Sequence, residues 1–260
     1  MKIIKLAINC GALTKKDGQE KAPDKILEKI QDYYLKENGL LPFIEEDKIS
    51  INNSNLEESH AKISNFVKKN DVPVCLLGGD HSLTYASFKE FSKKYKNPGL
   101  LVFDAHLDLM NNFKPPTHED YLRVLIEDKH LNPKNVVIVG VRNIHQNELE
   151  FAKKNKIRVF DMKKISQNGV HEISETIMQT CRKFDALYVS VDIDVLDPAF
   201  APGTGYNEPG GLTTRELIYF IQRIKNLKNI KMWDLVEVNP DKDINENTIC
   251  VAAKLLVEII

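Results

Sequence analysis

Residues 100–112 read LLVFDAHLDLMNN. The run Leu100-Leu101-Val102-Phe103 leaves no polar side for solvent, so it reads as a strand buried on both faces. It leads directly into Asp104, His106 and Asp108. In extended chain, side chains two apart share a face. These three groups therefore converge on one point if the extended geometry persists past the strand. The same organisation recurs along the chain. VPVCLL runs into GGDHS (Gly78 to Ser82), LYVSV into DIDVLDP with Asp192 and Asp194, and MWDLV into EVNPDKD with Glu237. Four strand ends thus deliver His or carboxylate side chains to one edge.

Seven strands are expected, at Lys2–Asn9, Val72–Leu77, Leu100–Phe103, Asn135–Val141, Arg158–Asp161, Ala186–Asp192 and Ile230–Val238. Amphipathic helices are expected between them, at Pro23–Lys36, Leu56–Lys69, Tyr85–Lys94, Glu119–Asp128, Glu148–Lys154, Val170–Arg182, Thr214–Ile224 and Thr248–Ile259. Thr213 with Glu216 three residues later is a capping-box pattern. This βαβ alternation predicts an α/β fold, a mostly parallel central sheet with helices on both faces, as one domain over residues 1–260. In such sheets, sites form at the carboxyl edge of the strands.

Composition narrows the function classes. The formal net charge is -1, which gives no electrostatic ground for nucleic-acid or anionic-membrane binding. No apolar run is long enough to span a bilayer. Lys2 and Lys5 interrupt the apolar N-terminal stretch, which reads as a first strand rather than a signal peptide. Cys10, Cys75, Cys181 and Cys250 are widely spaced and form no C-x-x-C pair. They point to a reducing compartment, the cytoplasm.

The clustered charge needs an explanation. Carboxylates gathered in a buried site repel each other and lose hydration, at a cost of several kcal/mol each. Either they diverge into solvent or cations neutralise them. Two imidazoles, His81 and His106, with four carboxylates, Asp104, Asp108, Asp192 and Asp194, suit two divalent ions. The oxygen-rich set favours manganese-like ions, and the absence of thiolate weakens the case for structural zinc. Two such ions activate a water near neutral pH. Each motif alone has a plainer reading. GGDHS is compatible with a strand–turn–helix corner, but lacks the lysine and spacing of a phosphate loop. DAHLD is compatible with a helix cap, and DIDVLDP with a calcium loop that lacks its glycine and glutamate. Asp197-Pro198 reads as a turn device. The joint occurrence of the three blocks at strand ends carries the metal reading.

GGDHS, DAHLD, SVDIDVLDPAFAPGTG with the following EPGG, and EVNP resemble the signature blocks of the ureohydrolase superfamily. This is the family of arginases, agmatinases, guanidinobutyrases and formimidoylglutamases. The blocks run in family order from Gly78 onward, and GQEKAPDKIL (Gly18–Leu27) resembles the arginase-type start. The resemblance implies a three-layer α/β/α sandwich and a manganese pair. His81, Asp104, Asp108 and Asp192 would hold one ion, and His106, Asp104, Asp192 and Asp194 the other. It also implies attack of an activated water on a guanidinium carbon, giving urea and an amine. Asp108 would handle the water's proton, Glu237 would pair with the guanidinium, and His118 in PPTHEDYLR would protonate the leaving amine. A trimer or hexamer is the implied assembly. His60, His130 and His171 read as surface residues.

The chain departs from the arginase pattern where the substrate's far end is read. Met110 stands where arginases have an Asn, His145 where they have an Asp, and GTGYN (Gly203 to Asn207) replaces GTGTP. Met110, Asn112, His145, Tyr206, Asn207 and Glu208 are therefore the candidate substrate residues. Asn111, Lys114 and Arg123 are further candidates for a substrate carboxylate. Agmatine is favoured over arginine, because EPGGLTTREL resembles agmatinase-type enzymes. Formimidoylglutamate and guanidino acids are the alternatives within the family. The alternatives of other classes are a deacetylase-like amidohydrolase on the same fold with a single zinc and a non-catalytic protein that retains the fold. The complete ligand set and Glu237 count against both.

Overall fold

The computed structural model describes residues 1–13, 18–70 and 73–260. Val72, the expected start of the second strand, lies outside them. Eight strands form one sheet: β1 (Lys2–Leu6), β2 (Glu45–Lys48), β3 (Val74–Gly78), β4 (Pro98–Phe103), β5 (Val136–Val139), β6 (Arg158–Phe160), β7 (Ala186–Asp192) and β8 (Ile230–Val236). Their order is β2-β1-β3-β8-β7-β4-β5-β6, and every pairing is parallel. Eight helices pack on it: α1 (Ala22–Ile30), α2 (Leu56–Lys69), α3 (Leu83–Ser92), α4 (Tyr121–Glu127), α5 (Gln146–Asn155), α6 (Met162–Cys181), α7 (Thr214–Ile224) and α8 (Asn247–Ile259).

The strands are apolar without alternation because both faces are covered. Leu101 and Phe103 of β4 pack with residues of α1, α6, α7 and α8, whereas Leu100 and Val102 pack with residues of α2, α3, α4 and α5. Each side chain so buried contributes roughly 1.5–3 kcal/mol. The result is three layers, as expected. Two helices that face the sheet from opposite sides begin on satisfied caps. Asn55 accepts from Glu58 N at α2, and Thr213 and Glu216 form the anticipated capping box at α7.

Several local expectations change. Strand β2 was not anticipated, because EEDK has no apolar residue and is exposed throughout. Its place is set by backbone pairing to β1 and by Lys2 Nζ, 3.0 Å from Asp47 and 3.8 Å from Glu45. Helix α1 stops at Ile30 rather than Lys36. Asp32 and Tyr33 make tight three-residue turns, and the Tyr33 hydroxyl donates to the Cys250 carbonyl. Helix α6 begins eight residues before Val170, with Gly169 at φ 81° kinking two helical pieces. His60 is buried, not at the surface. It shares one face of α2 with Ile63 and Val67, a helical spacing that reports its burial. His171 is exposed and His130 half-buried.

The strand order decides the site. β3, β8, β7 and β4 are consecutive neighbours at the centre of the sheet. Segments far apart in sequence, around positions 81, 104, 192 and 237, therefore end side by side. No described helix is long and apolar enough to cross a membrane.

Candidate active site

The turn after β3 is built on glycine. A Cβ on Gly79 would lie 1.7 Å from the Ile8 carbonyl oxygen, so only glycine allows this approach. Buried Asp80 then accepts from Gly11 N at 2.8 Å and Ser82 N at 2.9 Å, fixing the turn that presents His81. After β4, Asp104 accepts from His106 N at 2.7 Å, and after β7, Asp192 accepts from Asp194 N at 2.8 Å. Each loop is thus held by the carboxylate that opens it, and the ligands converge through turns rather than extended chain: Asp194 lies in a short 3-10 helix (Ile193–Val195) and Asp108 at φ 52°.

His81 Nδ1 lies 3.3 Å from Asp104 Oδ2 and 3.2 Å from both Asp108 Oδ2 and Asp192 Oδ2. It is buried and has no hydrogen-bond partner among the described residues. His106 Nδ1 lies 3.0 Å from Asp194 Oδ2 and 3.4 Å from Asp104 Oδ1. Two groups of ligand atoms, each within 4.8 Å, result: His81, Asp104 and Asp192, and Asp104, His106 and Asp194. Asp104 is common to both. Asp192 belongs to the first, and Asp108 flanks it at His81.

The charges in this cluster are mutually dependent. Burial pushes the Asp108 carboxyl well up, and Asp104 adds to it. Burial does the same to Asp192, reinforced by Asp194 and Asp104. Burial opposes ionisation of Asp104 too, but His106 and His81 outweigh it and hold that carboxyl below its usual range. Burial likewise opposes charge on His81 and His106. Tyr121 and the surrounding carboxylates raise the first, and Asp194 and Asp104 the second. Without cations, protons must compensate the carboxylates. An orphaned buried imidazole nitrogen facing three carboxylate oxygens, beside a second imidazole with its own pair, fits a site for divalent ions.

Glu237, the residue after β8, sits at φ 64°, and Asp108 at φ 52°. Such backbone costs about 1–3 kcal/mol in non-glycine residues and persists where surrounding contacts enforce it. Glu237 Oε1 accepts from His81 N at 2.8 Å and from His118 Nδ1 at 3.1 Å, and Oε2 accepts from Gln19 Nε2 at 2.5 Å. Burial pulls the His118 imidazole down, but the Glu237 charge outweighs it and raises the group to about 9. The Leu13 N–H, 3.2 Å from Nε2, is the opposing contact that favours the neutral ring. Glu237 itself is lowered, with burial opposing and His118 prevailing.

A cavity of about 320 Å³ opens over these groups. Its walls include His81, His106, Asp108, His118, Asp192, Asp194 and Glu237, so every expected ligand or catalytic residue except Asp104 lines it directly. Met110, His145 and Tyr206 also line it. His145 is the cap of α5, accepting from Asn147 N at 3.2 Å. Asn112 and Asn207 are placed differently from the other expected substrate residues. Both are exposed outside the cavity walls, and Asn112 donates to Glu127 at 3.2 Å where the loop has turned to the surface. Glu208 stands just outside, accepting from Asn143 Nδ2 at 2.6 Å and lying 3.7 Å from His106 Nε2. Lys114 pairs with Asp128, and Arg123 with Glu127 and the Leu109 and Met110 carbonyls, and neither lines the cavity.

Other site residues escaped the sequence reading. Glu119, Asn143, Glu148 and Thr204 line the cavity. Behind His81, Nε2 lies 2.8 Å from Ser190 Oγ, which donates to Asp234 at 2.6 Å. Asp234 accepts also from Thr84 and Tyr188, each at 2.7 Å. A carboxylate inside the buried run KMWDLV was the available signal, since a buried charge requires partners.

Comparisons with known proteins agree with this geometry. The family model "Arginase family" matches residues 2–260. An arginase from Staphylococcus aureus (strain MRSA252) is 32% identical over 234 residues, covering 84% of this chain and 75% of that one. An agmatinase from Bacillus subtilis (strain 168) is 32% identical over 243 residues, covering 90% and 80%. The solved formimidoylglutamase of Bacillus subtilis superposes with a TM-score of 0.93 at 25% identity, over 99% of this chain and 85% of that one. With a metal-ligand cluster at the carboxyl edge of an all-parallel sheet and a family match along nearly its whole length, the chain belongs to the arginase family of hydrolases.

Proposed function

We propose that the protein hydrolyses a linear guanidino compound to urea and a primary amine, with agmatine favoured over arginine, and that two manganese ions serve the reaction. The observation that carries this reading is the unpartnered, buried His81 Nδ1 facing Asp104, Asp108 and Asp192, beside the His106 group and the Glu237–His118 pair. His81, Asp104, Asp108 and Asp192 would hold one ion, and His106, Asp104, Asp192 and Asp194 the other. When bound, the ions supply a water of lowered pKa.

The chain's own residues do the rest. Asp108, on the cavity wall, accepts the proton of the attacking water. Glu237 presents its carboxylate to the guanidinium. Three donors occupy three of its roughly four lone-pair sites, so one acceptor position remains for a substrate N–H. His118, held protonated by Glu237, gives its proton to the departing amine, which otherwise leaves poorly. Tyr206 and Met110 wall the mouth and limit access of water from that side.

Urea release from a substrate panel by manganese-loaded protein tests the reading. Turnover of agmatine above arginine is expected. Strong turnover of arginine with none of its decarboxylated analogue overturns the substrate assignment. Formimidoylglutamate belongs in the panel because of the superposition described above. Preference for it replaces urea by formamide as the product.

A further inference from the structure

Glu119 follows the expected acid His118 and was read only as a helix start. In the structure it lines the cavity. Its side chain is about one-third exposed, and Oε1 accepts from the Tyr206 hydroxyl at 2.8 Å and lies 3.8 Å from His118 Nε2. Its carbonyl accepts from Met110 N at 3.1 Å, which ties it to another residue of the cavity wall. The Tyr206 ring stands 5.7 Å from the His106 ring and 6.0 Å from the His118 ring. Tyr206 therefore reaches from above the metal-ligand groups to the carboxylate of Glu119.

Among the described residues its ion-pair contact is with the His118 imidazole, 3.8 Å away, and not with a Lys or Arg, none of which lines the cavity. Arg142, whose guanidinium lies beside the Asp194 segment, spends it on the carbonyls of Gly140, Asp194, Val195, Leu196 and Glu208. The other carboxylate of the outer wall, Glu148, is already used, accepting from Leu109 N at 3.0 Å and His145 N at 3.1 Å. Glu119 alone of the two keeps an oxygen, Oε2, with no hydrogen-bond partner among the described residues. A substrate with its guanidinium at Glu237 extends its other end toward this mouth. A negative end meets repulsion there, and a positive end meets a carboxylate already oriented by a phenol.

We infer that Glu119, held by Tyr206, is the specificity residue that receives a second cationic group on the substrate. The preferred substrates are then guanidinoalkylamines rather than guanidino acids. The inference rests on the guanidine-hydrolase reading above. It adds the residue that reads the far end of the substrate.

The test compares wild type, Glu119→Gln and Tyr206→Phe on agmatine, guanidinobutanoate and butylguanidine, which share a chain length and differ in tail charge. For wild type the order of kcat/KM is agmatine, butylguanidine, guanidinobutanoate. Glu119→Gln lowers the agmatine-to-butylguanidine ratio by about 10- to 100-fold, mainly through KM, as loss of a charged hydrogen bond does. Tyr206→Phe lowers it less. Equal losses on all three compounds, or a common shift of the pH profile, show that Glu119 acts through His118 and overturn the inference. Calorimetric binding of agmatine to the metal-free protein separates the two readings. Binding lost in Glu119→Gln, with no urea from any compound, sinks the hydrolase reading and keeps the cation site. Hydrolysis by wild type with an unchanged ratio in the variant does the reverse, and neither binding nor hydrolysis removes both.

Discussion

His118 Nδ1 lies 3.1 Å from Glu237 Oε1, a contact across 119 positions of sequence that sets the protonation state of the histidine. The raised folded value, about 9, keeps the ring charged at neutral pH. If its proton goes to the leaving amine, the rate falls as pH rises through that value. Glu237→Gln removes the charge that outweighs burial, so the alkaline limb of the kcat profile moves to lower pH by a unit or more. His118→Asn lowers kcat by roughly 10²- to 10⁴-fold. A limb at the same pH in wild type and Glu237→Gln rules out the pair as the source of that ionisation.

Asp104 is shared by both ligand groups, whereas Asp194 belongs to one. Metal content should follow that difference. Wild type is expected to hold two manganese ions per chain after loading, Asp194→Ala about one, and Asp104→Ala fewer than one, by elemental analysis after gel filtration. Because ions bind the folded state, chelation lowers Tm as well as activity. One tightly held zinc per wild-type chain favours the single-metal amidohydrolase alternative.

The parts of the molecule legible in sequence are those whose signal is local. Strand β4 announces itself as four apolar residues in a row, and its ligands follow at once in sequence, although turns rather than extended chain bring them together. The family resemblance rests on the same short blocks. Strand β2 is illegible because EEDK carries no hydrophobic pattern, and its pairing comes from the neighbouring backbone. His60 looked solvated beside Glu57, Glu58 and Ser59, although its helical register with Ile63 and Val67 reports burial. Asn112 is a candidate by proximity to DAHLD, and nothing local in the sequence signals that the chain is exposed and outside the cavity walls by that point. Glu119 and Tyr206 are 87 positions apart, and only the folded sheet edge brings them together.

Ser190 Oγ lies 2.8 Å from His81 Nε2 and donates to Asp234, so it fixes the ring whose other nitrogen faces the carboxylates. Partners of this kind orient metal-ligating imidazoles. Ser190→Ala is expected to weaken manganese affinity by roughly 10- to 100-fold, with Tm of the chelated protein changing far less than the metal-dependent part. Titration of chelated protein with manganese, followed by calorimetry, measures this. Unchanged affinity means that the hydroxyl serves only the buried Asp234 network.

His60 gives the fold its own acid sensitivity, apart from the metal ligands. Burial, helped by Lys89, lowers its folded value from 6.5 to about 4. The folded state therefore holds the ring neutral while the unfolded chain takes up a proton. The associated stability is fully present above the unfolded value near 6.5 and is lost as pH falls toward 4. At one pKa unit per 1.36 kcal/mol, acidification to pH 5 removes about 2 kcal/mol through this residue. His60→Gln keeps a polar partner for Ser82 Oγ, which is 3.2 Å away, but does not titrate. Urea denaturation of chelated protein at pH 7 and pH 5 should show a drop smaller by about 2 kcal/mol in the variant. Parallel losses in both proteins assign the acid limb to other groups.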